Sequence, residues 1–445
     1  MSGILLLSHC GFSFIESLAA SVRARGLRVL VLTSRPADDT PNRVSELRAL
    51  ADVVLEVPDR HDLVEQDVAS ALETLRDMGE TPIAALSVWE GYRRLMAQAN
   101  ASLGVRDLDV DTVDLLADKL RVRQTLRAAG ATRVNAEAAT DVSLQAWLHE
   151  GRPGFVKPRR GIASYGAQRL RPGLTEHSLA RLIEASRADP VYGSLVGGSA
   201  FFIEDYVPGA EHSFEVLVFE GHAHLATVHK KLELTETESS VLEDSCVSPP
   251  PGWDQKEHEA ASAWVNGVLG ALGAAWGCFH IEARLTPQGW ELIEVNPRAG
   301  GALISQSSAA QHGGRSLLDQ WLDVLLDQQG PDAWRLQGAL ADQARGYPTG
   351  RATFFRVFYA QPGLITAIKR NDMTQPPESL QCFLEPGTTV RAADREVFLG
   401  QALWTFEQQR SSDMVAHLLV ESRGALEAEY AASSIDGREC GHGVF

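Results

Sequence analysis

Apolar residues fall in short runs along the first hundred positions: ILLL (4–7), RVLVLT (28–33), DVVLEV (52–57) and IAALSV (83–88). Each run is bounded by polar or glycine-bearing turns and has the length of a buried strand. Between the first two, SFIESLAASVRARG spaces its apolar residues for one face of a helix and closes on Gly26. Strand and helix in alternation predict a parallel sheet, so residues 1–110 are expected to form a small doubly wound domain. Ligands of such sheets bind beyond the carboxyl ends of the strands, which singles out the SHCGF turn (Ser8 to Phe12) and WEG (Trp89 to Gly91). Neither carries G-x-G-x-x-G, so a dinucleotide is not expected, and both also read as plain connecting turns.

Beyond Asp111, DTVDLLADKLRVRQTLRAAGA predicts a helix pair or one long helix ending at Gly130. GFVKPRRGIASYGAQRL then gives a strand, a glycine-punctuated turn and a strand. Two more strands flank the turn Pro208–Gly209, and a helix over 258–275 leads into a hairpin. After GPDAW (330–334) the pattern changes to short β runs: ATFFRVFYA, GLITAIKR, LQCFLE and EVFLGQALWTF. A final amphipathic helix or strand–helix pair follows, and the last dozen residues read as loose. No internal repeat or low-complexity segment interrupts this order.

The hairpin CFHIEARLTPQGWELIEVNPRAGG carries the most specific pattern. Folded about Gln288, it pairs Ala283 with Ile293, Ile281 with Val295 and Phe279 with Pro297, which makes one apolar face. The other face sets Glu282 opposite Glu294, His280 opposite Asn296 and Arg284 opposite Leu292, and Leu292 is the one apolar exception. Two carboxylates facing each other repel unless a cation lies between them. With the Asn296 amide on the same face, the hard oxygen donors suit Mg²⁺, which takes one or two carboxylates and completes its shell with water and phosphates. Arg298 would reach an anion held there, and Gly300 and Gly301 let backbone amides come close to it. A solvated face with incidental acids is the alternative.

A metal between carboxylates waits for phosphates, so cations and a covering loop should be nearby. Lys157 ends the strand GFVK, and the turn with Gly161, Ser164 and Gly166 can fold amides over phosphate oxygens. Without G-K-[ST] this is no Walker A loop, and a basic hairpin tip would look similar. Lys119 is a second candidate cation, or a solvated helix lysine. Backbone groups of Glu204 to Val207, including Tyr206, could read an adenine edge, and Glu211 could hold ribose hydroxyls; a plain hairpin is the other reading.

Composition narrows the field further. The 445 residues allow three domains of about 150 each, and 44% hydrophobic with 22% charged residues fits a globular chain with a sizeable core. A net charge of −17 argues against nucleic acid or an anionic membrane as partner. Cys10, Cys246, Cys278, Cys382 and Cys440 are scattered without C-x-x-C, which suggests a reducing cytoplasm and neither disulfide framework nor zinc site. The first residues, MSGILLLSHCGF, lack a basic n-region, so no export signal is expected. No apolar run is long enough for a membrane span.

In order, DKLRVRQTLRAAGA, FVKPRRGIASYGAQRL, FFIEDYVPGAEHSFEVLVFEG and FHIEARLTPQGWELIEVNPRAGGALI resemble the ATP-grasp superfamily of carboxylate–amine ligases over about 111–310. The resemblance implies an α/β and α+β chain: a Rossmann-like domain (1–110), a small ATP-grasp subdomain with a phosphate-covering loop (111–200), a large subdomain with the Mg site (201–330) and a β-rich C-terminal domain (331–445). It further implies that Lys119 and Lys157 contact ATP phosphates beneath the 159–166 loop. Glu204, Tyr206 and Val207 would lie along adenine and Glu211 at the ribose. Glu282, Glu294 and Asn296 would hold two Mg²⁺ ions, for which Mn²⁺ can substitute, and Arg298 would steady the substrate carboxylate. Trp89, Glu90, Glu243, Gly300, Gly301, His312 and parts of 301–311 are candidates for substrate recognition.

The branch most resembled is that of the L-amino-acid ligases, which join a small carboxylate to an amine through an acyl phosphate and release ADP. Relatives are often homodimers. Two departures stand out: Arg159 and Arg160 add charge to the phosphate loop, and Ser245 and Cys246 follow Glu243 and Asp244 where relatives often carry a histidine. A biotin-carboxylase-like activity would use the same apparatus with bicarbonate, and no Met-Lys-Met attachment triplet occurs here. A non-catalytic nucleotide-binding protein is the third alternative.

Overall fold

The computed structural model describes residues 1–10, 15–36, 41–162, 164–186, 200–236, 241–326, 349–390 and 397–431. The N-terminal strands β1 (Ser2–Ser8), β2 (Arg28–Arg35), β3 (Val53–Pro58) and β4 (Thr81–Leu86) form a parallel sheet of order β3-β2-β1-β4. Consecutive residues Ile4 to Leu7 are all buried. That is the signature of a sheet covered by helices on both faces and explains the unbroken apolar runs. At its carboxyl edge, His9 stacks on Trp89 with ring centroids 4.6 Å apart, so the two turns singled out from sequence do meet. Gly11 and Phe12 lie outside the described residues.

The expected helix after Asp111 is a pair, Val110–Leu116 and Lys119–Ala128. The break falls at Asp118, whose carboxylate caps the second helix by accepting from the Arg121 backbone N–H. Next comes a small antiparallel sheet of order β5-β8-β6-β7: β5 (Ala136–Ala138), β6 (Gly154–Pro158), β7 (Gln168–Arg169) and β8 (Phe201–Asp205). Helices Asp141–His149 and Glu176–Ser186 cover it, with Leu144, Trp147, Val156, Leu179 and Ile203 in its core.

The largest sheet contains β9 (Ala210–Phe219), β10 (His222–Glu236), β11 (Val241–Ser248), β12 (Gly277–Thr286), β13 (Gly289–Asn296), β14 (Arg351–Tyr359), β16 (Ser379–Cys382) and β18 (Phe398–Glu407), in the order β13-β12-β9-β10-β11-β14-β18-β16. The expected helix over 258–275 is Gln255–Ala271, capped by Asp254. It buries Ala261, Val265 and Val268 in the same core as Phe214, Val216, Phe279 and Ile281. A third layer pairs β15 (Gly363–Arg370) with β17 (Thr389–Val390) and β19 (Leu426–Tyr430). The expected boundary at 330/331 lies outside the described residues, as does the C-terminal dozen. On either side of that boundary, β11 and β14 pair from Ser245–Arg356 to Ser248–Thr353, so one sheet runs through both parts. Among the described residues no helix is long and apolar enough to cross a membrane.

Candidate functional site

The hairpin β12–β13 has the expected register at its open end: His280 pairs with Asn296, Ile281 with Val295 and Glu282 with Glu294. Nearer the turn the expected pairs are corrected. Ala283 faces Leu292 and Arg284 faces Glu291, because one extra residue bulges from β13 after Glu282. The bulge resolves the one exception in the pattern. Leu292 turns into the core beside Ala283, while Ile293, expected on the apolar face, lines an open cavity of about 690 Å³.

That cavity lies between the small sheet and the hairpin. Lys119, Lys157, Ser164, Glu204, Tyr206, Val207, Glu211, Glu282 and Glu294 all line it. Lys157 Nζ sits 2.6 Å from Glu204 Oε1 and donates to the Ile293 carbonyl at 3.3 Å. The other oxygen of Glu204 accepts from Arg123 Nε at 2.5 Å. Burial pushes the Glu204 carboxyl up, but the charges of Arg123 and Lys157 outweigh it and hold the group below the usual carboxylate range. Glu204 is thus the counter-ion of the strand-end lysine. Lys119 Nζ donates to the Gly161 carbonyl at 2.6 Å and lies 3.3 Å from Glu294 Oε1. The Val207 carbonyl accepts from Arg284 Nη1 at 2.8 Å, so it is already engaged. Ser164 adopts φ 54° in the covering turn. Ala163 beside it is outside the described residues.

A second cavity of about 1080 Å³ shares Ile162, Ser164, Glu211, Val241, Glu282 and Glu294 with the first. It adds Lys231, Glu243, Asn296, Arg298 and Gly301. Lys231 went unnoticed in the sequence, yet its ammonium lies 2.8 Å from each of Glu211 Oε1, Glu243 Oε2 and Glu282 Oε1. Burial lowers an ammonium pKa, and here Glu211, Glu243 and Glu282 outweigh it, raising Lys231 well above its ordinary value. For Glu282 the balance runs the other way: burial raises it, but Lys231 and then His280 bring it well below the carboxylate range. Glu211, expected at a ribose, is buried and shared by Lys231 and Arg284 Nε at 2.8 Å.

His280 stands between Glu215 Oε1 at 2.5 Å and Glu282 Oε1 at 3.2 Å. Burial disfavours the imidazolium, but Glu215 overrides it and the pKa is pushed up to about 10. Gly300 owes its identity to this corner. A Cβ there would lie 2.6 Å from Ile304 Cδ1 and 2.8 Å from His280 Nδ1, and its N–H donates to Glu215 Oε2 at 3.1 Å. Its amide therefore serves a buried carboxylate of the chain, whereas Gly301 opens on the cavity. Arg298 donates from Nε and Nη2 to Glu90 Oε2 at 3.2 and 3.1 Å, which ties the N-terminal domain to the site. Trp89, Glu90 and His312 do not line either cavity; His312 faces the Ala226 carbonyl at 2.9 Å. Glu243 lines the second cavity and also accepts from Cys246 Sγ.

Among the described residues no group of three or more His, Cys, Asp or Glu surrounds a metal position. Two carboxylates and an amide are nevertheless the smaller donor set that Mg²⁺ accepts when phosphates and water complete its octahedron. Glu282 and Glu294 face each other across the hairpin, each held by an ammonium that such an ion could replace.

Residues 151–307 match the family described as ATP-grasp domain. The chain contains an ATP-grasp domain. It spans β6 to β13 and therefore both walls of the first cavity; the family generally uses ATP with Mg²⁺. Beyond that domain, carnosine synthase 1 of Gallus gallus is 28% identical over 71% of this chain and 34% of its own length. The chain thus spans about a third of that relative. An uncharacterised protein of Sinorhizobium fredii is 27% identical over 43% of this chain and 38% of its own. In structure, an L-amino acid ligase of Bacillus licheniformis superposes with TM-score 0.69 at 16% identity, over 97% of this chain and 99% of its own. A biotin carboxylase of Campylobacter jejuni gives 0.62 at 14% identity, over 96% and 92%. These two share the fold around the ATP-grasp domain.

Lys231, Arg123 and Glu215 are the site residues that sequence reasoning missed. Lys231 did leave a trace, since it alternates with His229 on a strand long enough to be central, where a lysine needs partners.

Proposed function

We propose that the chain is an ATP-dependent, ADP-forming ligase that joins a small carboxylate, an amino acid in the first instance, to an amine. The observation that carries this reading is the continuity of two cavities at the Glu282–Glu294 pair: one lined by Lys119 and by Lys157 of the ATP-grasp domain, the other by Arg298. In the first, Lys119 and Lys157 neutralise the triphosphate while the 159–166 turn covers it. Glu282, Glu294 and Asn296 would hold Mg²⁺, which when bound offsets phosphate charge as a Lewis acid.

A carboxylate oxygen of the substrate, steadied by Arg298, attacks the γ-phosphorus; the bond to the β,γ-bridging oxygen breaks and ADP departs. The amine nitrogen then attacks the acyl-phosphate carbon, the tetrahedral oxyanion being stabilised by the guanidinium. Collapse expels phosphate, and the nitrogen loses a proton to give the amide. Excluding water protects the acyl phosphate from hydrolysis. Incubation with ATP, Mg²⁺ and mixed amino acids should release ADP with a new amide mass. Glu294→Gln and Arg298→Ala should each lower turnover by at least ~10²-fold with an unchanged circular-dichroism spectrum. Near-normal turnover in either variant would sink the assignment, and turnover that needs bicarbonate but no amine would transfer the chain to the carboxylases.

A further inference from the structure

The second cavity has two unlike halves. Toward the hairpin it is lined by Glu282, Glu294, Asn296 and Arg298; toward the C-terminal part, by Phe355, Val357, Tyr359 and Phe398. Strand geometry explains the apolar half. Phe355, Val357 and Tyr359 are alternate residues of β14 and so share one face, whereas Phe354 and Phe358 pack on the other face with Trp404 and Leu418. Phe398 pairs with Tyr359 across the ladder, with ring centroids 5.4 Å apart. It carries the stripe outward and is itself 42% exposed. Among the described residues every charged side chain lining this cavity comes from 211–298, none from the C-terminal part.

The segment after Arg298 joins the halves. Gly301, Ala302 and Ile304 line the cavity in succession, and Ile304 clusters with Phe355 and Val357. Glu243, on the strand adjoining β14, also lines the cavity, with Oε2 2.8 Å from Lys231 Nζ.

We propose that the apolar stripe receives the side chain of the carboxylate substrate, which is an α-amino acid with a large uncharged apolar side chain. The inference rests on the ligase reading and narrows its substrate. The carboxylate to be phosphorylated has to meet the γ-phosphate at the Glu282–Glu294 corner beside Arg298. Its remainder then extends along 301–304 toward Phe355, Val357, Tyr359 and Phe398, with Glu243 accepting from the α-ammonium. Leucine, methionine or phenylalanine would cover apolar surface there. An aspartate, glutamate or lysine side chain would lose water without gaining a partner.

The experiment pairs a panel of amino acids with L-alanine in the presence of ATP and Mg²⁺. Fragmentation of the products reads which residue occupies the acyl position. In parallel, thermal shift with MgADP and each amino acid reads binding without turnover. Leu, Met and Phe in the acyl position should exceed Gly, Asp and Lys by ten- to a hundredfold in kcat/KM, each tenfold being ~1.4 kcal/mol. Phe398→Asp, at an exposed site, should shrink that preference by about tenfold or more at an unchanged melting midpoint, and Val357→Ala, at a buried one, should do so with a lowered midpoint. Equal use of polar donors, apolar residues confined to the amine position, or an intact preference in both variants would overturn the proposal. Apolar-selective binding that both variants lose, without any turnover, would uphold the pocket and remove the ligase reading instead.

Discussion

Two buried ion clusters flank the cavities, and each is the inverse of the other. On the side of the small sheet one carboxylate, Glu204, is held by two cations, Arg123 and Lys157. On the hairpin side one ammonium, Lys231, is held by three carboxylates, Glu211, Glu243 and Glu282. Desolvation of so many charges is costly, and neither cluster is needed to fill a core. The difference teaches how one cleft can suit ligands of both signs. The first sets Lys157 on the wall of the first cavity, where the proposed reading puts phosphate. The second gathers three carboxylates around one ammonium, and the proposed reading gives one of them, Glu282, to a divalent ion.

The largest expected effect comes from removing the central ammonium. Lys231→Met leaves three carboxylates without their common partner and should cost about 3–5 kcal/mol in chemical unfolding. Because the carboxylates remain, Mg²⁺ should raise the melting midpoint of this variant more than that of the unaltered protein. An equal response in both would break the link between this cluster and a metal.

A smaller effect belongs to the inverse cluster. Glu204→Gln should cost about 1–3 kcal/mol near neutral pH, measured by denaturant titration, because two buried cations lose an ionic acceptor. Its pH signature sharpens the comparison. Glu204 is held below its ordinary value of 4.5 in the fold, so its stabilisation is fully present above about pH 4.5 and is lost as pH falls through the folded pKa. The acid limb of the stability curve should therefore be shallower in the variant; an unchanged limb would mean Glu204 is not the carboxylate that matters. The smallest effect marks the contrast with exposed pairs. Lys369 and Glu429 form an ion pair with side chains 55% and 51% exposed, and Lys369→Ala should leave the unfolding midpoint unmoved within error.

The hairpin was legible because its period-two pattern specifies a face, and Glu282, Glu294 and Asn296 fall where that pattern puts them. The bulge was not, since one inserted residue changes the register without changing the alternation on either side of it. Lys231 was hidden by its neighbour: a Lys-Lys pair on a strand reads as solvated until the strands bringing Glu211, Glu243 and Glu282 are in place. The apolar stripe was hidden by distance along the chain. ATFFRVFYA was legible as a strand, but nothing in it says that Phe355 and Val357 will stand beside β11 rather than in a separate domain. Glu211 and Gly300 show a third limit, because the protein partners they do have, Lys231 and Arg284 for one and Glu215 for the other, come from strands that the local pattern does not place.

The ladder between β11 and β14 has a mechanical consequence. Glu282, Glu294 and the apolar stripe belong to one hydrogen-bonded slab, so sliding one against the other would break backbone pairs from Ser245–Arg356 to Ser248–Thr353. The small sheet that bears Lys157 has no strand in that ladder and joins it through 206–209 on one side and the run before β5 on the other. A Cβ on Gly209 would sit 2.2 Å from the Leu285 carbonyl oxygen, which pins the slab end of the link. In the proposed reaction a closing movement would therefore fall to the small sheet, and the slab that carries the apolar stripe would stay still.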